Sequence, residues 1–307
     1  MAKFNWSLPE VYEVLQQKGL SGLLHEFRTL QEVMRGGMLE ESMMDMAKES
    51  YDLLNDQIMN KVRKTGTMFF LLSSATKMPY IDCYDLDSDF RSYLFSEEAL
   101  AKRFQEELQN SGYHTEINEI LTGRHRTDYF YSMMLGGVNY LVLNPGEDQY
   151  PILISRLVDL PSYDGFKDIN HPLYNCKMNV LLAEYVQDSE ADTVIPQLEQ
   201  ELFREIKDGF FLLPAVVDGE VDRLDHKELV YKYSMMQREN VDHTQELCMP
   251  VFTDYENLEA WLHELKLDNH TGVIVPFSEF FHIMNTYNVK SFIINWNSFA
   301  GSIQNSV

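Results

Sequence analysis

Apolar residues recur three and four positions apart from Leu8 to about Lys64, first in VYEVLQQKGLSGLLHEFRTLQEVM and then, past the break at Gly36-Gly37, in LEESMMDMAKESYDLLNDQIMNKVRKTG. That spacing, carried by good helix formers, predicts an N-terminal helical segment over residues 1–64. Met43, Met44 and Met46 fall within it and read as gap-filling core side chains. The pattern then changes. TMFFLLSS is a short unbroken apolar run between turn-forming and polar residues, the signature of a buried strand.

The later half of the chain returns to the same order. VIPQLEQELFREIKDG is helical in pattern and leads into FFLLPAVV, so that Phe69-Phe70-Leu71-Leu72 matches Phe210-Phe211-Leu212-Leu213 letter for letter. RSYLFSEEALAKRFQEEL then corresponds to CMPVFTDYENLEAWLHEL: a strand ends at Phe95 or Phe252, and Ser96 or Thr253 stands where a helix cap belongs. Thr253 and Glu256 have capping-box spacing, while Glu97 and Glu98 suit the positive end of a helix dipole. The following helices align Phe104 with Trp261 and Leu108 with Leu265, one turn apart on one face. In a third block, TDYFYSMMLGGVNYLVLN corresponds to SEFFHIMNTYNVKSFIIN, with Thr127 and Ser278 as the expected caps. Gly137 aligns there with Asn288, the two residue types that best accept the left-handed conformation at a helix end, and the closing strands stop at Asn144 and Asn295.

Three blocks recurring in one order imply a tandem duplication. The expected fold class is α+β: two units, each a mixed sheet covered by helices, behind the helical extension. YHTEINEI and TGVIVPF supply a strand between the two helices of each unit, so strand–helix–strand crossovers place parallel pairing beside antiparallel strands. The expected division is a helical segment over 1–64, a first unit over 65–157, a connector with helices over 158–207 and a second unit over 208–307. YPILISRL is expected to add an edge strand to the first unit, and Pro161 to Gly165 to form a turn.

Composition narrows the partners. The chain has 307 residues, of which 45% are apolar, ample for packed cores of this size. Lys and Arg number 25 against 48 Asp and Glu, and the formal charge of -23 repels a strand of phosphates. Nucleic acid is therefore not expected as a partner, whereas a basic protein would suit the charge. Cys83, Cys176 and Cys248 show no CxxC pair or regular spacing, so neither a disulfide framework nor a zinc site is expected. The N-terminus lacks the apolar core of a signal peptide, and no apolar run approaches the ~20 residues of a membrane span. A cytoplasmic protein is expected, with the glycosylation-like sequences at Asn5 and Asn269 arising by chance.

The second repeat, in LCMPVFTDYENLEAWLHE and GVIVPFSEFFHIMNTYNVKSFIIN, resembles the N-terminal domain of the SseB family of bacterial proteins. Pro250, Phe252, Thr253, Pro276, Phe277 and Asn295 carry the resemblance over about Asp208 to Asn297, and the first repeat carries it more weakly over Thr65 to Asn144. Tyr93 replaces Pro250 in the first repeat, which also lacks the Pro-Phe pair and so reads as a degenerate copy. The resemblance implies a non-catalytic protein that recognises a partner without a cofactor.

Local chemistry adds little. In DLDSDF the alternating Asp85, Asp87 and Asp89 resemble the opening of a calcium loop, but Phe90 stands where its glycine belongs and Ser96 where its bidentate glutamate belongs. An acidic turn is expected there, and Arg124, His125 and Arg126 are expected to be solvated loop charge. Asn144, Asn295, Thr253, Ser278 and His282 remain the candidate ligand or partner contacts, because a partly parallel sheet gathers strand ends and helix starts at one edge. Two readings stay open beside the interaction module: a small-molecule or anion binder, with or without catalysis, at that edge, and a structural assembly subunit.

Overall fold

The computed structural model describes residues 8–36, 41–64, 66–86, 89–146, 149–158, 175–223, 226–239, 243, 245–295 and 301–304. The turn expected at Pro161 to Gly165, and Asp87 of the acidic stretch, lie outside these residues. Helices α1 (Leu8–Gln17), α2 (Leu20–Arg35) and α3 (Glu41–Lys64) form the predicted N-terminal segment. The stripe Leu23, Leu24 and Phe27 is buried, as are Leu54, Ile58 and Val62 of α3. Met46, read from sequence as core, is exposed, as is Met43. Among the described residues no helix is long and apolar enough to cross a membrane.

The fold is mixed α and β. A first array follows, made of β1 (Met68–Ser73), β2 (Ile81–Asp85), β3 (Asp89–Phe95), α4 (Glu98–Asn110), β4 (Thr115–Ile120), α5 (Arg124–Leu135), β5 (Tyr140–Leu143) and β6 (Tyr150–Leu153). Its strand order is β4-β1-β3-β5-β6, with β2 also on β3 beyond the end of β1. Only β3 and β5 run parallel; the other neighbours are antiparallel. The expected edge strand is β6.

Helices α6 (Cys176–Ala191) and α7 (Pro196–Asp208) lead to β7 (Phe210–Arg223), β8 (His226–Tyr233), β9 (Met236–Glu239), β10 (Gln245–Val251), α8 (Tyr255–Glu264), β11 (Thr271–Pro276), α9 (Phe277–Thr286), β12 (Ser291–Ile294) and β13 (Gly301–Gln304). These strands pair as β13-β12-β10-β9 and β11-β7-β8, and the two sets meet where Leu212 and Phe252 exchange backbone hydrogen bonds of 2.8 and 2.9 Å. Read through that junction the order is β11-β7-β10-β12-β13, with β10 and β12 the one parallel pair. Order and strand sense therefore coincide with those of the first array.

Register coincides too. Leu94 lies opposite Leu143 as Val251 lies opposite Ile294, the pairs aligned in the sequence repeat. Elsewhere the register corrects the letters. Phe69 faces Phe95, but it is Leu212 that faces Phe252, so the Phe-Phe-Leu-Leu match is two residues out of step with the pairing. A shift of two keeps every side chain on its face, which is why the sequence tolerates it. The same step matches Tyr80 N–H donating to Leu71 O with Ser234 N–H donating to Pro214 O, both at 2.8 Å. The short turn after β1 is thus expanded, after the corresponding part of β7, into the long β7–β8 ribbon.

Helix α6 stands between the arrays and is buried nearly all round, through Met178, Val180, Leu181, Leu182 and Ala183. It packs close against the end of α5. Gly137, at φ 92°, has no room for a side chain, since a Cβ there would overlap the Cys176 carbonyl oxygen.

Candidate functional site

The strand-end asparagines form two like clasps. Asn144 takes the left-handed conformation (φ 48°) and gives its N–H to Leu94 O at 2.8 Å. Its side chain accepts from Ser96 N–H at 2.9 Å and donates to Ser96 Oγ at 2.8 Å. Asn295 (φ 51°) gives its N–H to Val251 O at 2.9 Å, accepts from Thr253 N–H at 3.0 Å and donates to Thr253 Oγ1 at 2.7 Å. Each clasp ties the end of one parallel strand to the exit of its neighbour. Because the Asn occupies the Ser or Thr side chain, helix capping passes to the next residue, so the caps are Glu97 and Asp254 rather than Ser96 and Thr253. Only Asp254 caps by its side chain, accepting from Asn257 N–H at 2.8 Å. Thr127 and Ser278 are not caps either: α5 begins at Arg124 and α9 at Phe277, placing both residues inside helices.

The second clasp is locked to α6. Asn295 Nδ2 reaches Asn179 Oδ1 at 3.3 Å, Thr253 Oγ1 lies 2.5 Å from the same oxygen, and Asn179 Nδ2 donates to Asp254 Oδ2 at 3.2 Å. Asn179, Thr253, Asp254 and Asn295 are all buried. Asn175 adds bonds to Phe210 O at 2.7 Å and Thr253 O at 3.1 Å. Buried groups matched in this way hold a junction, and three of the five candidate contacts, Asn144, Asn295 and Thr253, are thereby accounted for. Ser278 and His282 lie exposed on α9, apart from both clasps. Beside the network a cavity of about 380 Å³ opens between α5, α6 and the start of α8, lined by Met78, Met133, Val138, Asn179, Asp254 and Glu256.

At its other end α6 closes the free edge of β2. Gln187 accepts from Ile81 N–H at 3.2 Å and donates to Ile81 O at 3.0 Å, while Glu184 Oε1 accepts from Cys83 N–H at 3.0 Å. Two polar side chains three residues apart thus take the place of a neighbouring strand. Around them lie Tyr80, Tyr93 and Tyr113; Tyr93 donates to Asp82 at 2.5 Å and Tyr113 to Asp188 at 2.8 Å. Burial pushes the Glu184 carboxyl up to about 8, against the pull of Cys83 N–H, and the charges of Asp188 and Asp82 act with burial. Burial raises Asp188 as well. Glu184 Oε2 has no hydrogen-bond partner among the described residues, as suits a protonated acid held for its shape. Sequence reading missed this pair, though two polar residues inside the apolar run VLLAEYVQ were its signal.

Arg126 was also missed. Instead of solvated loop charge it is buried, donating to Val62 O at 2.8 Å, Gly66 O at 2.5 Å and Ile120 O at 3.1 Å, and burial lowers its pKa. It fastens the end of α3 to the first array. Arg124 and His125 are exposed as expected. Among the described residues no three His, Cys, Asp or Glu side chains are grouped to hold a metal ion.

Among the described residues the second array is not closed in this way. Matched by register, Ser234 stands for Tyr80, Pro250 for Tyr93 and Asp268 for Tyr113. Where the first array packs Tyr80 against Tyr93 and Tyr113, and Tyr93 against Phe104, the second has a cavity of about 640 Å³ beside Trp261, lined also by Ser234, Met235, Met236, Leu265 and Leu267. Trp261 is buried, and its Nε1 has no hydrogen-bond partner among the described residues. Comparison of the chain with family models, with curated proteins and with solved structures returns no match.

Two outcomes follow. Asn295→Ala leaves Thr253 N–H without its acceptor and takes from Asn179 Oδ1 one of its two donors, Thr253 Oγ1 being the other, so it should cost roughly 2–4 kcal/mol in urea unfolding; a loss below about 1 kcal/mol would remove the clasp from the architecture. For Glu184, the folded state retains a proton that the unfolded chain releases, so its contribution to stability is full below the usual 4.5 and fades as pH rises through about 8. The unfolding midpoint of Glu184→Gln, which keeps the acceptor for Cys83, should fall less than that of the wild type between those pH values. Parallel pH profiles would contradict the assignment.

Proposed function

We propose that the chain is a non-catalytic protein-interaction module built from two SseB-like units, acting in the bacterial cytoplasm without a cofactor. The first unit is closed by its own helix α6, and the second is the recognition unit. The observation that supports this reading is the difference between corresponding places in the two arrays: tyrosines and a helix in the first, a cavity of about 640 Å³ in the second. Exposed apolar side chains border the second array, with Leu265 51% and Phe203 65% exposed. Such surface favours association with another macromolecule. The formal charge of -23 favours a basic partner in the long-range encounter, whatever the local contacts are.

A second reading draws on the smaller cavity, whose volume of about 380 Å³ lies within the range of small-molecule sites. With Asp254 and Glu256 against Lys77 in its wall, a neutral or cationic ligand suits it better than an anion.

Capture from a bacterial lysate at low and high salt separates the readings when wild type and Leu265→Lys are compared. A protein retained by the wild type, weakened by salt and lost with Leu265→Lys is the expected result. Empty capture, together with a metabolite that raises the melting temperature of both proteins alike, would favour the second reading.

A further inference from the structure

The outer edge of β9 and the cavity beside it have a counterpart in the first array. On the first array, α6 lies along β2, sets Gln187 and Glu184 against the backbone of Ile81 and Cys83, and meets a tyrosine cluster beneath. On the second array Met235 and Gln237 hold the positions of Ile81 and Cys83, so the N–H of Gln237 points away from β10. Among the described residues no side chain bonds to that edge. Met235 and Met236 also line the 640 Å³ cavity, so edge and cavity form one surface.

We infer that this surface receives an amphipathic helix of a partner protein, seated on β9 as α6 is seated on β2. The inference rests on the interaction-module reading and names its partner. The helix presents Gln or Glu side chains three residues apart to the strand edge. An aromatic side chain of the same helix enters the space that Ser234, Pro250 and Asp268 leave where the first array has tyrosines.

Two further observations favour a helix of this composition. β9 spans only Met236–Glu239, a short ladder for an added strand, whereas a helix reaches alternate N–H groups with side chains from a single face. Local charge also differs from the first array, where Glu184 faces Asp82 and Asp188. In the second, Met236 replaces Asp82, Arg238 is on the edge strand opposite Glu246, and Lys232 and Asp218 both line the cavity. An acidic side chain on the incoming helix therefore has Arg238 and Lys232 nearby, and Met236 where the first array has Asp82.

The test sorts a yeast-displayed library of amphipathic helices, each of 16 residues like α6, against the full-length chain. Enriched helices are then titrated against Leu265→Lys, at the cavity rim, and Gln237→Pro, which removes only an outward N–H that an edge strand can lose. Leu153→Lys, on an exposed position of the first array, is the control. The expected result is enrichment of Gln or Glu three apart with a neighbouring aromatic, and binding weakened about tenfold or more by the first two variants and unchanged by the third. Helices that bind both edge variants like the wild type would overturn the inference, as would a library that enriches nothing. Binders lost only with Phe203→Lys would leave the interaction module standing but put its contact on α7.

Discussion

The structure depends on the need to satisfy the backbone of a sheet edge that a solitary strand would leave bare. Helix α6 meets that need with Gln187 and Glu184, whose bonds to Ile81 and Cys83 join segments 106 and 101 residues apart. An unpaired buried backbone group costs about 1–3 kcal/mol, so the edge holds the helix in one register. Three turns earlier, Asn175 and Asn179 of the same helix bond to the start of α8 and the end of β12. One helix thereby fixes the positions of two sheets, and apolar packing through Val180, Leu181 and Ala183 fills the space between.

A structural asymmetry follows from that arrangement. A helix between two arrays can close the free edge of only one. In the first, tyrosines complete the closure, and their rings pack at centroid distances of 4.6 to 6.2 Å with each other and with Phe104. In the second, smaller residues take those places and the core beside Trp261 is left open. On the function proposed above, the outer edge of β9 is the place where a partner would be received.

Much of the array was legible in sequence because its signals are local. Asn at a strand end, Ser or Thr one strand away, and Gly137 or Asn288 after a helix each answer to a backbone conformation within a few residues. The caps expected at Ser96 and Thr253 fall one position later because the Asn clasp, a contact between residues 48 or 42 apart, takes up the hydroxyl that would otherwise cap. The Phe-Phe-Leu-Leu match erred by two because side-chain period, not identity, constrains a strand. Glu184, Gln187 and Arg126 were missed for a different reason: a buried polar residue is recognised by its distant partner, and its own neighbours in sequence give only a break in an apolar run.

The central claim is that α6 closes β2 while none of the described residues closes β9. Amide hydrogen exchange in the full-length protein at neutral pH tests it most directly, residue by residue. The account predicts that the amides of Ile81 and Cys83 are protected like those inside the sheet, while the amide of Gln237 exchanges far faster. Equal protection at Cys83 and Gln237 would mean that the second edge is already covered, and would contradict the account.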